Sequence, residues 1–233
     1  MNLIALETST EACSVAVLHG DALVERFEIA PRRHAELTLP WAEALLAEAG
    51  IGRKDLDVVA VGRGPGAFTG VRLGVSLAQG MALALDIPAI AISTLAALAM
   101  RANASDGSRI LAAIDARMGE VYWATFEVRD GLPHALSEEL VGPPASVKIS
   151  GDGWHGVGTG FAAQDGALAH RLTKQLLDVD AEALPHAADI ATLAVAAHAR
   201  GEAVAPERLE PAYLRNQVAL TLVEQQALRD SRK

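Results

Sequence analysis

Apolar runs at positions 3–6, 14–18 and 22–29 are parted by two polar breaks, Glu7-Thr8-Ser9-Thr10-Glu11 and His19-Gly20-Asp21, a spacing that predicts three strands in a meander. From 34 to 49 the apolar period lengthens to that of a helix, which Gly50 and Gly52 end and Pro40 is expected to kink. Leu37, Trp41 and Leu45 make one stripe on it, and Leu39, Ala42, Leu46 and Ala49 make a second. Its apolar surface is therefore wider than one core-facing side needs. Part of that surface is expected to meet a partner.

A strand at 58–61 leads into Gly62-Arg63-Gly64-Pro65-Gly66-Ala67-Phe68-Thr69-Gly70-Val71-Arg72-Leu73-Gly74-Val75, which opens a helix reaching about Leu85. The glycines and proline predict a tight turn with bare backbone, and Thr69 is the expected N-cap. Gly70, Gly74, Ala78 and Ala82 recur every fourth residue, so one helical face has almost no side-chain height and is built to be packed against. The loop does not fit a dinucleotide fingerprint, because Gly64-x-Gly66-x-x-x-Gly70 is one residue too long. Nor does it fit a triphosphatase loop, because no Lys-Ser or Lys-Thr pair ends it. A close-packed joint and direct ligand contact are both open readings of it.

Next come a strand at 88–92, a helix at 93–102 and a polar linker, Asn103-Ala104-Ser105-Asp106-Gly107-Ser108. Strands at 110–114 and 121–128 flank Asp115-Ala116-Arg117-Met118-Gly119-Glu120. Ala112-Ala113-Ile114-Asp115 overlays Ile4-Ala5-Leu6-Glu7 as a weak internal repeat, each copy ending on a carboxylate. The remainder holds Gly142-Pro143-Pro144, a glycine-rich run at 151–160, and helices expected near 165–177 and 187–200. The predicted organisation is an α/β fold of two related lobes, 1–103 and 109–233, with an extended tail from about 209 that can return to the first lobe.

Composition narrows the chemistry. Of 233 residues 51% are hydrophobic but only 4% aromatic, so the core must be aliphatic and rich in alanine. A net charge of −9 leaves no electrostatic footprint for gripping nucleic acid alone, so any such role needs a partner. Cys13 is the only cysteine, which suits a reducing compartment. The absence of a basic leader and of an apolar run of membrane-spanning length predicts a cytoplasmic protein without membrane contact. The seven histidines stand at least 12 positions apart and no Gly-x-Ser-x-Gly elbow occurs, so neither a local zinc motif nor an activated serine is visible. The remaining candidates are turns. Thr8 and Ser9 after Glu7, and the turn after Asp115, could cradle phosphate with a carboxylate holding hydrated magnesium. Gly158, in the glycine-rich run, could let a base or ribose lie on backbone. Ordinary hydrogen-bonded turns and a plain loop fit the same residues.

Five segments occur in order over nearly the whole chain: Ile4-Ala5-Leu6-Glu7-Thr8-Ser9, His34 with Leu39-Pro40, Gly64-Pro65-Gly66-Ala67-Phe68-Thr69-Gly70-Val71-Arg72-Leu73-Gly74, Asp115-Ala116-Arg117-Met118-Gly119-Glu120-Val121-Tyr122, and Pro211-Ala212-Tyr213-Leu214-Arg215. Together they resemble the bacterial TsaB family, also called YeaZ. The resemblance implies a two-lobed fold of the actin, hexokinase and Hsp70 (ASKHA) type, with a duplicated hairpin-containing α/β domain. It implies a role in forming N6-threonylcarbamoyladenosine at position 37 of tRNAs that read codons beginning with A. It also implies a non-catalytic subunit, because the catalytic paralogue TsaD holds a metal through paired histidines shortly after the segment matching Pro88-Ala89-Ile90-Ala91-Ile92. Here that place reads Ser93-Thr94-Leu95-Ala96-Ala97-Leu98-Ala99-Met100.

The implied partners are a TsaD-like catalytic subunit and a TsaE-like ATPase, with tRNA met only through the complex and a homodimer formed when the chain is alone. No cofactor is implied, and weak ATP or ADP binding stays open. The family's contact through first-lobe helices falls here on Leu37, Trp41, Leu45, Gly70, Leu73, Gly74, Leu77, Ala78 and Met81. Two alternatives belong to other classes. One is a stand-alone ATPase or small-molecule kinase using Glu7, Asp115 and residues 151–160, and the other is a metallopeptidase.

Overall fold

A computed structural model describes residues 1–102 and 104–215; Asn103 of the expected linker and residues 216–233 of the expected tail lie outside the described residues. The first half runs β1 (Asn2–Glu7), β2 (Ala12–His19), β3 (Ala22–Ile29), α1 (His34–Glu48), β4 (Val58–Gly62), α2 (Phe68–Leu85), β5 (Ala89–Ile92) and α3 (Thr94–Met100). The second half runs β6 (Arg109–Arg117), β7 (Glu120–Arg129), β8 (Leu132–Ala135), β9 (Leu140–Gly142), β10 (Trp154–Val157), α4 (Ala163–Leu172), β11 (Leu176–Asp180) and α5 (Ala187–Ala199).

The two halves repeat one topology. The first sheet has the order β3-β2-β1-β4-β5, and the second, read the same way, β8-β7-β6-β10-β11, with β9 added against β7. In each, the opening strand pairs antiparallel with its hairpin partner on one side and parallel with a later strand on the other. The carboxylates of the internal repeat behave alike. Glu7 Oε1 accepts from Ser9 N at 2.6 Å, and Asp115 Oδ1 accepts from Arg117 N at 2.8 Å, in both cases the amide two residues on.

Helices cover both faces of each sheet, but not in chain order. α1 and α2 pack their apolar sides on Ile4, Leu6, Val15, Val59 and Val61 of the first sheet. Its other face, Leu3, Ala5, Ala16, Val58 and Ala60, is covered by α5 from the second half through Ala187, Ile190, Ala191 and Ala194. In exchange α3, from the first half, seats Leu95, Leu98 and Ala99 on Ile110, Ala112 and Phe126 of the second sheet, whose far side holds α4. After α5 the chain returns along the first sheet, where Val204 bridges Ala89, Leu209 is buried, and Gln79 Nε2 donates to Leu209 O at 2.9 Å. Residues 103–108 therefore separate the two halves in sequence while one helix of each half crosses over.

The crossing is held by polar groups. Glu25 on β3 accepts from Ser14 Oγ at 2.7 Å and Ala188 N at 3.0 Å and meets His186 Nδ1 at 3.0 Å, while Ser14 Oγ accepts from Ala187 N at 2.9 Å. Burial alone would raise the Glu25 carboxyl; the His186, Ser14 and Ala188 hydrogen bonds outweigh it and hold the group below its usual range. One turn on, Asp189 faces Arg101 of α3 at 3.5 Å, with its Oδ2 buried and without a hydrogen-bond partner. Burial pushes that carboxyl up from 3.8 to about 6 despite Arg101 and His186.

α1 continues through Pro40 as one helix. Three expectations about local structure are corrected. Thr69 is not the N-cap of α2, because Ala67 ends the loop with its amide donated to Ser9 O at 2.7 Å. The helix expected to reach Leu177 stops at Leu172, where the Thr173 hydroxyl donates back to Ala169 O and His170 O; Leu176 to Asp180 then form a strand beside β10. The helix opened by the glycine loop, α2, is long and apolar enough by length and composition to cross a membrane, contrary to the sequence expectation, yet its inner side is packed on the first sheet.

Candidate functional site

A cleft of about 960 Å³ lies between the two sheets. Ser9, Thr10, His34 and the loop from Gly66 to Gly70 line it from the first half, Asp115, Arg117, Tyr122 and Thr159 from the second, and the tail residues 212–215 cross it. Of the four expected cradle residues the structure brings two, Ser9 and Asp115, to this cleft.

The first turn is closed inward. Glu7 is fully buried, with Oε1 accepting from the amide and hydroxyl of Ser9 and Oε2 from Thr94 Oγ1 at 3.1 Å. Burial raises its carboxyl above the usual range, with the Ser9 and Thr94 hydrogen bonds opposing. A Cβ on Gly62 would stand 1.9 Å from Glu7 Oε2, so the missing side chain at 62 is what makes room for this carboxyl. Thr8 is buried as well and donates its hydroxyl to Gly70 O at 2.8 Å. The glycine loop is close-packed, its glycines pressed on this turn, and its residues 66–70 line the cleft as well. A Cβ at Gly66 would meet Ser9 O at 2.3 Å, and one at Gly74 would meet Thr8 Oγ1 at 2.6 Å.

The second turn is open but self-satisfied. Asp115 Oδ2 pairs with Arg117 Nη1 at 2.8 Å, and Asp115 N donates to Thr159 Oγ1 at 3.2 Å. Gly158 does not line the cleft. Its φ is +106°, and a Cβ there would collide with Ala113 O at 2.3 Å and Leu98 Cδ2 at 2.4 Å, so it lets the end of β10 lie against β6 and α3. The glycine-rich run is correspondingly not a loop: β10 occupies its centre, and Gly156 and Gly160 touch Phe161 and Ala113. Among the described residues no three His, Cys, Asp or Glu side chains converge on a point that could hold a metal ion.

The expected contact residues on α1 and α2 divide into two sets. Gly70, Gly74 and Ala78 form the inner side of α2, buried against the chain's own sheet and first turn, and Leu37 and Leu45 are buried under α1. The flat face is therefore filled by this chain itself, because small residues permit a strand and its turn to come close as readily as a second helix. Although Trp41, Leu77 and Met81 also touch the first core, Trp41, Leu73, Leu77 and Met81 stay half-exposed. On α2 the last three recur every fourth residue beside Ser76, Gly80 and Ala84, which are small and exposed, and Arg72 is the helix's single charge. Leu39 on α1 and Phe68 and Leu83 on α2 extend the apolar surface at 44%, 53% and 58% exposure.

What sequence reasoning missed is the traffic between halves: the Ser14, Glu25 and His186 clamp and the Arg101–Asp189 pair. The return of the tail to the first lobe was expected, and Ala212 N donating to Arg63 O agrees with it.

A family model described as TsaD, tRNA N6-adenosine threonylcarbamoyltransferase, matches residues 27–222. The tRNA threonylcarbamoyladenosine biosynthesis protein TsaB of Escherichia coli K12 is 42% identical over 232 residues, covering 94% of this chain and 96% of that protein. The Haemophilus influenzae protein of the same name is 38% identical, covering 94% and 95%. Among solved structures, YeaZ from Pseudomonas aeruginosa superimposes with a TM-score of 0.82 at 44% identity over 91% of this chain and 99% of that one. A second Pseudomonas aeruginosa structure, described as an uncharacterized protein with similarity to peptidase YEAZ, gives 0.85 at 45% identity over 92% and 99%.

Proposed function

Because this chain belongs to the TsaB (YeaZ) family of tRNA threonylcarbamoyladenosine biosynthesis proteins, with the ASKHA-type fold of that family, we propose that it serves as the non-catalytic subunit that binds and activates a TsaD-like paralogue. In this reading it works in the cytoplasm, meets tRNA only through the assembled complex, pairs with itself when the paralogue is absent, and offers a TsaE-like ATPase a place at the same junction.

The observation that carries the reading is the outer side of α2. An 18-residue helix with one charge keeps Leu73, Leu77 and Met81 half in water, flanked by Ser76, Gly80 and Ala84, after its inner side has been packed on the sheet. An apolar stripe left partly in water on a helix with one charge is a surface that a second chain can cover. Trp41 and Leu39 lie on α1, which packs next to α2 on the same sheet face, and a large side chain buried there contributes about 1.5–3 kcal/mol. A few such anchors would dominate an interface. The small residues between them let a second helix come close.

The first turn supports the non-catalytic part. A Glu7 carboxyl enclosed by Ser9, Thr94 and Gly62 is not presented to a metal or a phosphate in the cleft, which weighs against the stand-alone ATPase or kinase reading. The test is reconstitution of tRNA threonylcarbamoylation from the TsaD-like subunit with and without this chain. Modification that needs the chain, with no ATP turnover by the chain alone, is the expected result. Equal modification in its absence overturns the proposal.

A further inference from the structure

We propose that residues 211–215 act as a strap across the mouth of the cleft and set how far apart the two lobes stand. The segment holds the first lobe at two points. Ala212 N donates to Arg63 O at 2.8 Å, and the Tyr213 hydroxyl accepts from Arg72 Nε at 2.9 Å. Arg72 is itself clasped, its guanidinium carbon 3.5 Å from the Phe68 ring centre and 5.2 Å from that of Tyr213. Two residues later the same segment holds the second lobe. Arg215 Nη2 donates to Ala116 O at 3.3 Å and pairs with Glu120, while Nη1 reaches Met118 Sδ at 3.8 Å. Both ends of the hairpin turn that carries Asp115 are thus fastened through one side chain to a stretch anchored on α2.

The other ties between lobes sit elsewhere. Arg101–Asp189 joins the crossing helices, and Arg63 Nη1 meets Glu139 Oε2 at 3.1 Å beside the start of α3. None of these four residues lines the cleft, whereas residues 212–215 do. Two packed lobes joined by a pair of crossing helices can open and close about that crossing. A short tether spanning the mouth limits that motion more directly than contacts at the crossing itself. Charge-assisted hydrogen bonds on one guanidinium and a cation clasped between two rings make the tether strong enough to matter and exposed enough to be released. The strap belongs to the fold and acts whether or not a second subunit binds.

The test uses the full chain with spin labels on Ala35→Cys and Ala162→Cys, two exposed positions on opposite walls of the cleft, and reads their separation by double electron–electron resonance. Arg215→Ala and Glu120→Ala each remove one partner of the tether, at positions whose side chains are 21% and 34% exposed and outside the core. Each is expected to shift the distance distribution to longer values and broaden it. A distribution that either substitution leaves superimposable on the parent's overturns the strap.

Discussion

The backbone carbonyl of Thr8 stands 2.0 Å from the point that a Cβ on Gly70 would occupy. The start of α2 and the first hairpin turn are therefore in backbone contact, with the Thr8 hydroxyl adding a hydrogen bond to Gly70 O. Gly70→Ala is expected to cost about 3 kcal/mol or more by overpacking a site with no flexible neighbour, read as a lowered denaturant midpoint. A loss below about 1 kcal/mol would mean that turn and helix part freely.

Gly80 provides the opposite case on the same helix. It is exposed, and nothing lies within 4 Å of where its Cβ would be. Gly80→Ala is expected to raise the stability of the isolated chain by about 0.5–1 kcal/mol through helix propensity alone. An unchanged or lowered melting temperature would contradict a free outer side.

The outer stripe itself makes a sharper demand. Leu77→Ala together with Met81→Ala, which trims side chains only partly packed on the core, should leave the isolated chain folded while weakening its association with a TsaD-like subunit by at least tenfold, since truncated anchors commonly cost more than about 2 kcal/mol at an interface. Titration calorimetry decides it. Undiminished affinity would move the contact off this helix.

Glu7 gives a pH signature. Burial raises its carboxyl, so the folded chain holds the proton more tightly than the unfolded one. The associated stability is complete below the unfolded value of 4.5 and is lost as pH rises through the folded one. Glu7→Gln, whose amide can donate to Thr94 Oγ1, should therefore be more stable than the parent at neutral pH, with the difference shrinking on acidification. Denaturation curves at several pH values that keep a constant gap would refute this.

Asp189 behaves alike. Its carboxyl moves from 3.8 to about 6, so stability from the protonated form is present below 3.8 and lost as pH rises through about 6. By that shift the advantage of Asp189→Asn over the parent should grow across those limits and reach up to about 3 kcal/mol above them. The groups facing it are Arg101 from α3, Glu25 from β3 and His186 beside it on its own element. A flat difference across the window would mean that the Arg101 pair compensates burial fully.

The opening meander and the helices α1, α2 and α5 were legible because alternation and helical spacing are local properties, whereas the parallel pairing of β1 with β4 and of β6 with β10 was not. The repeat at Ile4-Ala5-Leu6-Glu7 and Ala112-Ala113-Ile114-Asp115 pointed to two sheets of one design, which the strand orders bear out. The direction of packing was not legible. Small residues at Gly70, Gly74 and Ala78 announce close approach without saying what approaches, and the answer was the chain's own Thr8 and Ser9 at the two glycines and its first sheet at Ala78. Likewise the glycines at 156, 158 and 160 read as a loop, although they lie where a strand must pass under Phe161 and beside Ala113. Contacts made across more than a hundred residues, such as Glu25 with His186 or Arg72 with Tyr213, leave no periodic trace.

The exchange of α3 and α5 bears on how the polypeptide could be divided. Each sheet has one greasy side roofed by a helix encoded with the other sheet. A gene severed between codons 103 and 109 would yield two fragments, each with a bare underside and an orphaned helix that fits only its counterpart. Such pieces should be insoluble when made singly and reassemble when made together, which marks this boundary as a natural place for a split reporter.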